Sequence, residues 1–164
     1  MPERSIRLFG DPVLKTASAP IGNVEDEGVR SLVADLLDSV AVPGRAGVAA
    51  PQIGVNLRAF SYNVDGKIGY LLNPRIVEVR GEPELIDEGC LSVPELWYPV
   101  LRSPWARAEG VDLDGQRVVV EGAGVLAQAL QHEVDHLDGT LYLDRLEKER
   151  RREAMRRIRE STWF

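Results

Sequence analysis

Apolar positions in this chain follow two periods. Val29, Leu32, Val33, Leu36, Leu37 and Val40 recur at spacings of three and four, which predicts a helix over residues 24–40. Glu25, Asp26 and Glu27 favour its first turn, and Pro43-Gly44 end it. Before it, residues 1–23 are rich in Pro and Gly and read as an extended arm. From Ala46 to about Val120 the pattern shifts to short β-prone runs: 58–63, 68–72, 76–80, 100–101, 105–112 and 117–121. Turn formers separate them, at Asp65-Gly66, Asn73-Pro74, Gly81, Ser103-Pro104 and Asp114-Gly115, the last a good hairpin turn. A second helix is expected over 124–137, ending near Gly139, with Leu126, Leu130, Val134 and Leu137 as its core stripe. A third runs from Asp144 to about Glu160. Strands with helices around them give an α+β class: mainly antiparallel strands about a central helix, flanked by an N-terminal and a C-terminal helix.

Composition changes this picture little. A chain of 164 residues fits one domain, 1–164, and 44% hydrophobic with 28% charged residues is ordinary for a globular protein. No apolar run approaches a membrane span, and residues 1–10 lack a signal-peptide core, so a cytoplasmic location is expected. A single cysteine excludes an intrachain disulfide and agrees with a reducing compartment. The net charge of −6 does not favour nucleic acid, although residues 144–160 hold eight basic and five acidic side chains.

The chemistry concentrates in three segments. Both histidines of the chain fall in His132-Glu133-Val134-Asp135-His136, an H-E-x-x-H pattern. Residues four apart on a helix share a face, so His132 and His136 can reach one ion, with Glu133 left for proton transfer. Val125 and Ala129 lie on the same side and can line a pocket, while Asp135 lies off the ligand face, as support for the site or simply exposed. The lone cysteine, Cys90, sits in Glu88-Gly89-Cys90-Leu91-Ser92 and can add a thiolate; a buried free cysteine acting as a small hydrophobe is the plainer reading of that segment alone. In Gly47-Val48-Ala49-Ala50-Pro51-Gln52, small residues admit a second backbone and the Gln52 amide can donate to an oxyanion.

Together these segments resemble the peptide deformylase family, which shows glycine–apolar–glycine–apolar–Ala-Ala–x–Gln, then E-G-C-L-S, then Q-H-E-x-D-H. The similarity runs from about residue 5 to 146 and includes Gly10–Leu14, Leu72-Asn73-Pro74 and residues 137–144. It implies removal of formate from N-formyl-methionyl nascent chains. It further implies that Cys90, His132 and His136 bind a single Fe(II), replaceable by Zn(II), Ni(II) or Co(II). Glu133 would act as general base and then acid, and Gln52 with the Leu91 N–H would stabilise the oxyanion. A Glu88–Arg102 pair would brace the Cys90 loop. Zinc endopeptidases share H-E-x-x-H but usually take a downstream third ligand, and a non-catalytic binding protein on the same fold is the remaining alternative.

The chain departs from the family at one loop. Arg45 stands where the family has its first glycine, with Ala46 as the apolar residue before Gly47. Because this loop flanks the substrate in the family, Arg45, Ala46, Gly47, Gly89, Val125 and Ala129 are the expected substrate-binding residues. The chain is then an ordinary deformylase with a varied loop, or a specialised paralogue acting on another N-formyl amide. Its basic tail reads as a solvated helix packing a narrow stripe through Leu146, Ala154 and Ile158. A contact with ribosomal RNA is the functional alternative.

Overall fold

The computed structural model describes residues 5–164; the first four residues of the expected N-terminal arm lie outside the described residues. The arm is extended except for a 3-10 turn at Pro12–Lys15, capped by Asp11. Helix α1 spans Glu27–Val40, three residues shorter than periodicity suggests. Asp26 accounts for the difference: its side chain accepts from the Gly28 N–H, so it caps the helix from outside.

Five strands form one antiparallel sheet in the order β1-β2-β3-β6-β7, with β1 at Gly47–Ala49, β2 at Ala59–Val64, β3 at Lys67–Arg80, β6 at Trp105–Val111 and β7 at Arg117–Ala123. Alternation along these strands serves two faces. Val48, Ala59 and Leu72 pack with Leu32, Val33 and Leu36 of α1. Their neighbours Ala49, Phe60 and Leu71 point the other way, against Leu130, Val134 and Leu137 of helix α2, Val125–Leu137.

A two-stranded antiparallel hairpin of β4 (Glu84–Cys90) and β5 (Val93–Arg102) stands apart from this sheet. Its inner face, with Val93, Leu96, Tyr98 and Val100, packs on Tyr142, Leu143, Ala154 and Ile158. The last two belong to helix α3, Lys148–Glu160. Helix α2 therefore touches the main sheet on one side and β5 on the other.

The α+β class with antiparallel sheets agrees with the sequence reading, and three details differ. The runs 68–72 and 76–80 belong to one strand, because Asn73 makes no chain reversal. Instead its amide accepts from the Ile21 N–H at 2.8 Å and donates to the Ile21 carbonyl at 2.9 Å, tying down the N-terminal arm, while β3 passes through with a register shift. Strands β1, β4 and most of β5 lie outside the β-prone runs read from sequence. Finally, α3 starts at Lys148 rather than Asp144, since Asp144 closes a 3-10 turn at Tyr142–Arg145 by accepting from the Leu141 N–H.

Leu130 is fully buried between α2 and the sheet. Leu130→Ala is expected to lower the unfolding free energy by about 2–5 kcal/mol, measured by urea titration; a loss below half a kilocalorie would contradict this placement.

Candidate active site

Two elements bring the candidate ligands together. His132 and His136 lie one turn apart on α2, and Cys90 ends β4. Their ligand atoms all fall within 4.8 Å of one another. Cys90 Sγ is 3.3 Å from His136 Nε2, which is 3.2 Å from His132 Nε2. His132 Nδ1 lies 2.7 Å from Glu88 Oε2. Burial alone would raise the Glu88 carboxyl, but Arg102 and His132 hold it down at about 2. Ionised, it can only accept, so His132 Nδ1 donates and Nε2 is the nitrogen turned toward Cys90 and His136. Burial opposes charge on this ring, but Glu133, Cys90 and Glu88 outweigh it and raise its pKa well above the ordinary imidazole value, so an ion bound at Nε2 would replace a proton. Burial pushes His136 well below the ordinary imidazole value, which favours the neutral, ligating form. A thiol sulfur and two imidazole nitrogens converging here form a donor set that suits a divalent ion once their protons are released.

A buried guanidinium locks this arrangement. Arg102, at the end of β5, donates through Nε and Nη2 to both Glu88 oxygens at 2.8 and 2.6 Å, and through Nη1 to Asp135 Oδ2 at 2.8 Å. Asp135 is buried on α2 and also receives Nε and Nη2 of Arg145 at 2.6 and 2.7 Å. Of the two roles open to Asp135, the structure thus places it as a supporting group between two arginines. Arg145 was not among the residues picked out from sequence. It ends the 3-10 turn Tyr142–Arg145, and nothing in the composition of a basic tail marks one arginine as the partner of a buried aspartate.

Glu133 faces the cavity from α2 with Oε1 buried and without a partner. Burial, partly opposed by His132, raises its carboxyl to about 7. Gly47 lies directly against it: a Cβ at that position would sit 2.5 Å from Glu133 Oε2. Gln52 is buried beside them. Its Oε1 accepts from the Ala49 N–H at 3.0 Å, which orients Nε2 toward Ser92 Oγ at 3.2 Å and Cys90 Sγ at 3.7 Å. Ser92 is thus a further residue at the site, fully buried, that the sequence reading quoted only as part of a motif.

These groups open into a cavity of about 480 Å³ whose lining includes Arg45, Ala46, Leu91, Gly89, Val125 and Ala129. All residues expected to bind substrate therefore reach one space. Arg45 is less simply a substrate contact than its position implied, because its Nη1 donates to the Ser39 carbonyl near the end of α1 at 2.9 Å.

Residues 3–152 match the Polypeptide deformylase family. The chain belongs to this family. It is 48% identical to a peptide deformylase of Acidothermus cellulolyticus, over 99% of this chain and 89% of that one. A relative from Mycolicibacterium paratuberculosis is 42% identical, over 96% and 88%. Among solved structures, a peptide deformylase from Legionella pneumophila superposes with a TM-score of 0.88 at 35% identity, covering 96% of this chain and 94% of the other. The Ehrlichia chaffeensis enzyme in complex with actinonin does so with a TM-score of 0.88 at 31% identity, covering both chains fully. Family and fold together make the chain a metal-dependent deformylase acting on formylated nascent polypeptides, and favour neither the endopeptidase nor the other-amide reading.

Gly47→Ala is expected to displace the Glu133 carboxylate and cut kcat by about 100-fold while metal content is unchanged. Steady-state kinetics with elemental analysis checks this, and a normal kcat would contradict the contact.

Proposed function

We propose that Cys90, His132 and His136 hold one divalent ion and that Glu133, Gln52 and the Leu91 N–H carry out hydrolysis of the N-formyl amide beside it. The observation that carries this reading is the convergence of the three ligand atoms next to the buried Glu133 carboxylate, whose Oε1 has no partner. By family resemblance the ion is Fe(II), with Zn(II), Ni(II) or Co(II) able to replace it. When bound, the ion supplies a Lewis acid that acidifies water and polarises the formyl oxygen.

The remaining work falls to side chains. Glu133 takes a proton from the attacking water, a task suited to a carboxylate whose pKa burial has brought toward neutrality. The formyl carbon becomes tetrahedral, and the charge on its oxygen is met by the Gln52 Nε2–H and the Leu91 N–H. Gln52 is pre-aimed for this by its bond to the Ala49 N–H, so little reorganisation is needed. Glu133 then returns the proton to the departing amine as the C–N bond breaks, releasing formate and a free methionyl terminus. Glu88 and Arg102 act indirectly, by fixing the His132 tautomer and the Cys90 strand. Gly47 and Gly89 border the space for substrate, Gly47 leaving room for the Glu133 carboxylate, while Arg45, Ala46, Val125 and Ala129 bound the space for the methionyl residue.

Residues 1–164 act as one catalytic domain in this reading, and the place of work is the cytoplasm, where formylated nascent chains emerge. Among the described residues no helix is long and apolar enough to cross a membrane. The outward arginines of α3 offer a basic face for ribosome contact, while Ala154 and Ile158 pack its inner stripe.

Formate release from formyl-Met peptides, with unformylated peptides as control, tests the reaction; cleavage of unformylated peptides instead would contradict it. Glu133→Ala should keep its metal and lose turnover by orders of magnitude. Near-normal activity would remove Glu133 from the proton transfers. Cys90→Ala should lose metal on gel filtration, and full occupancy by elemental analysis would show that the thiol is not a ligand.

A further inference from the structure

The five-stranded sheet ends at β7, and among the described residues no strand lies beyond it. The opposite edge, β1, is only three residues long, which limits what can pair with it. Strand β7 runs for seven residues, contains no proline and pairs with β6 without a register shift. Its other side is open. The Asp112 N–H donates to the Gln116 carbonyl and the Gly124 N–H to the Pro104 carbonyl, so the even-numbered residues of this strand turn their backbone groups to β6. Arg117, Val119 and Glu121 therefore turn their N–H and C=O groups to the free edge. Their side chains share the exposed outer face, where Val119 is 40% exposed. Val118 and Val120 point the other way and are only partly buried, beside Leu126 of α2.

A second copy of this chain matches the edge in one register. In a symmetric antiparallel pair, residues equally far from the two-fold axis lie opposite each other. With the axis at Val119, that residue meets the partner's Val119, and Arg117 meets the partner's Glu121. Backbone groups turned to the edge then face one another, and each residue pair exchanges two N–H···O bonds. Moving the axis to Val120 keeps the backbone match but sets Val119 against the partner's Glu121. Moving it to Val118 sets Arg117 against the partner's Val119. Charge favours the first register. Arg117 engages Glu109 through Nε, and Glu121 receives Arg107 on Oε2 at 3.0 and 3.2 Å. The Nη groups of Arg117 and the Oε1 of Glu121 are left to meet across the seam. Arg107 also holds Glu78 at 2.7 Å. Signs then alternate from Glu78 through Arg107 and Glu121 to the partner's Arg117 and the partner's Glu109. On the inner face the partner's Val120 covers Val118, joining two partly buried apolar layers.

We propose that β7 is a self-association edge, through which two copies pair antiparallel about Val119 into one continuous sheet. Strand β7 leads through Gly124 into α2, so the seam also steadies the strand from which the histidine-bearing helix starts.

Sedimentation velocity of the metal-loaded, full-length protein from about 1 to 100 µM should show a monomer–dimer equilibrium. Arg117→Glu and Glu121→Arg each set like charges opposite one another, and each should raise the dimer dissociation constant about tenfold. Mixed in equal amounts, the two variants should recover most of the affinity as a heterodimer, because every seam pair is then of opposite sign. Val119→Pro removes an N–H that β6 does not use and should abolish the dimer with metal content unchanged. A monomer across the whole range would overturn the proposal, even one whose edge captures an unrelated extended peptide. So would a dimer that Val119→Pro leaves intact, or mixing that restores nothing. Amide exchange of the wild type decides the matter if a variant misfolds. The N–H groups of Arg117, Val119 and Glu121 should exchange slowly at the highest concentration and fast at the lowest, while those of Val118 and Val120 stay slow at both. Exchange at Val119 that ignores concentration would overturn the pairing.

Discussion

One buried guanidinium joins the two elements that make the site. Arg102 is 2% exposed and connects Glu88 on β4 to Asp135 on α2. Beside it, the hairpin carrying Cys90 and the helix carrying both histidines are joined by the His132–Glu88 contact and by Gln128 Nε2 donating to the Asp87 carbonyl. Placing these charges in the interior costs desolvation energy, and a well-packed apolar replacement could be equally stable. What the ions add is direction: Arg102 and His132 compete for the same Glu88 carboxylate, so its oxygens, the imidazole tautomer and the strand position are fixed at once. Arg145 extends the bridge to the segment that leads into α3.

Close approach is the second constraint. The carboxylate of Glu133 fits into the interior because β1 presents Gly47 to its Oε2 rather than a side chain. The same economy appears at Gly89, where the missing Cβ lets an indole cover the backbone beside Cys90. Both glycines lie where an added methyl would strike a functional group, so their role is steric rather than a matter of backbone freedom.

Helices and strands β2, β6 and β7 were legible because their apolar residues keep one period. In α2 the stripe Leu126, Leu130, Val134 stands beside His132 and His136, and helical geometry alone puts both imidazoles on one face. Strands β4 and β5 were not legible, since Pro94, Pro99 and the left-handed Glu95 interrupt alternation and the hairpin register is set by the bulge. Cys90, Gln52 and the Glu88–Arg102 pair were reachable through family resemblance. The burial of Asp135 was not, because a carboxylate on a helix is usually solvated unless distant arginines meet it, and Arg102 and Arg145 are separated from it by 33 and 10 positions.

The central claim is that a thiolate from β4 and two imidazoles from α2 share one ion. Anaerobic titration of the metal-free protein with Co(II), followed by absorption, tests it most directly. The account predicts a thiolate-to-cobalt charge-transfer band that saturates at one equivalent per chain. Saturation without that band would contradict it, since the ion would then be held without Cys90.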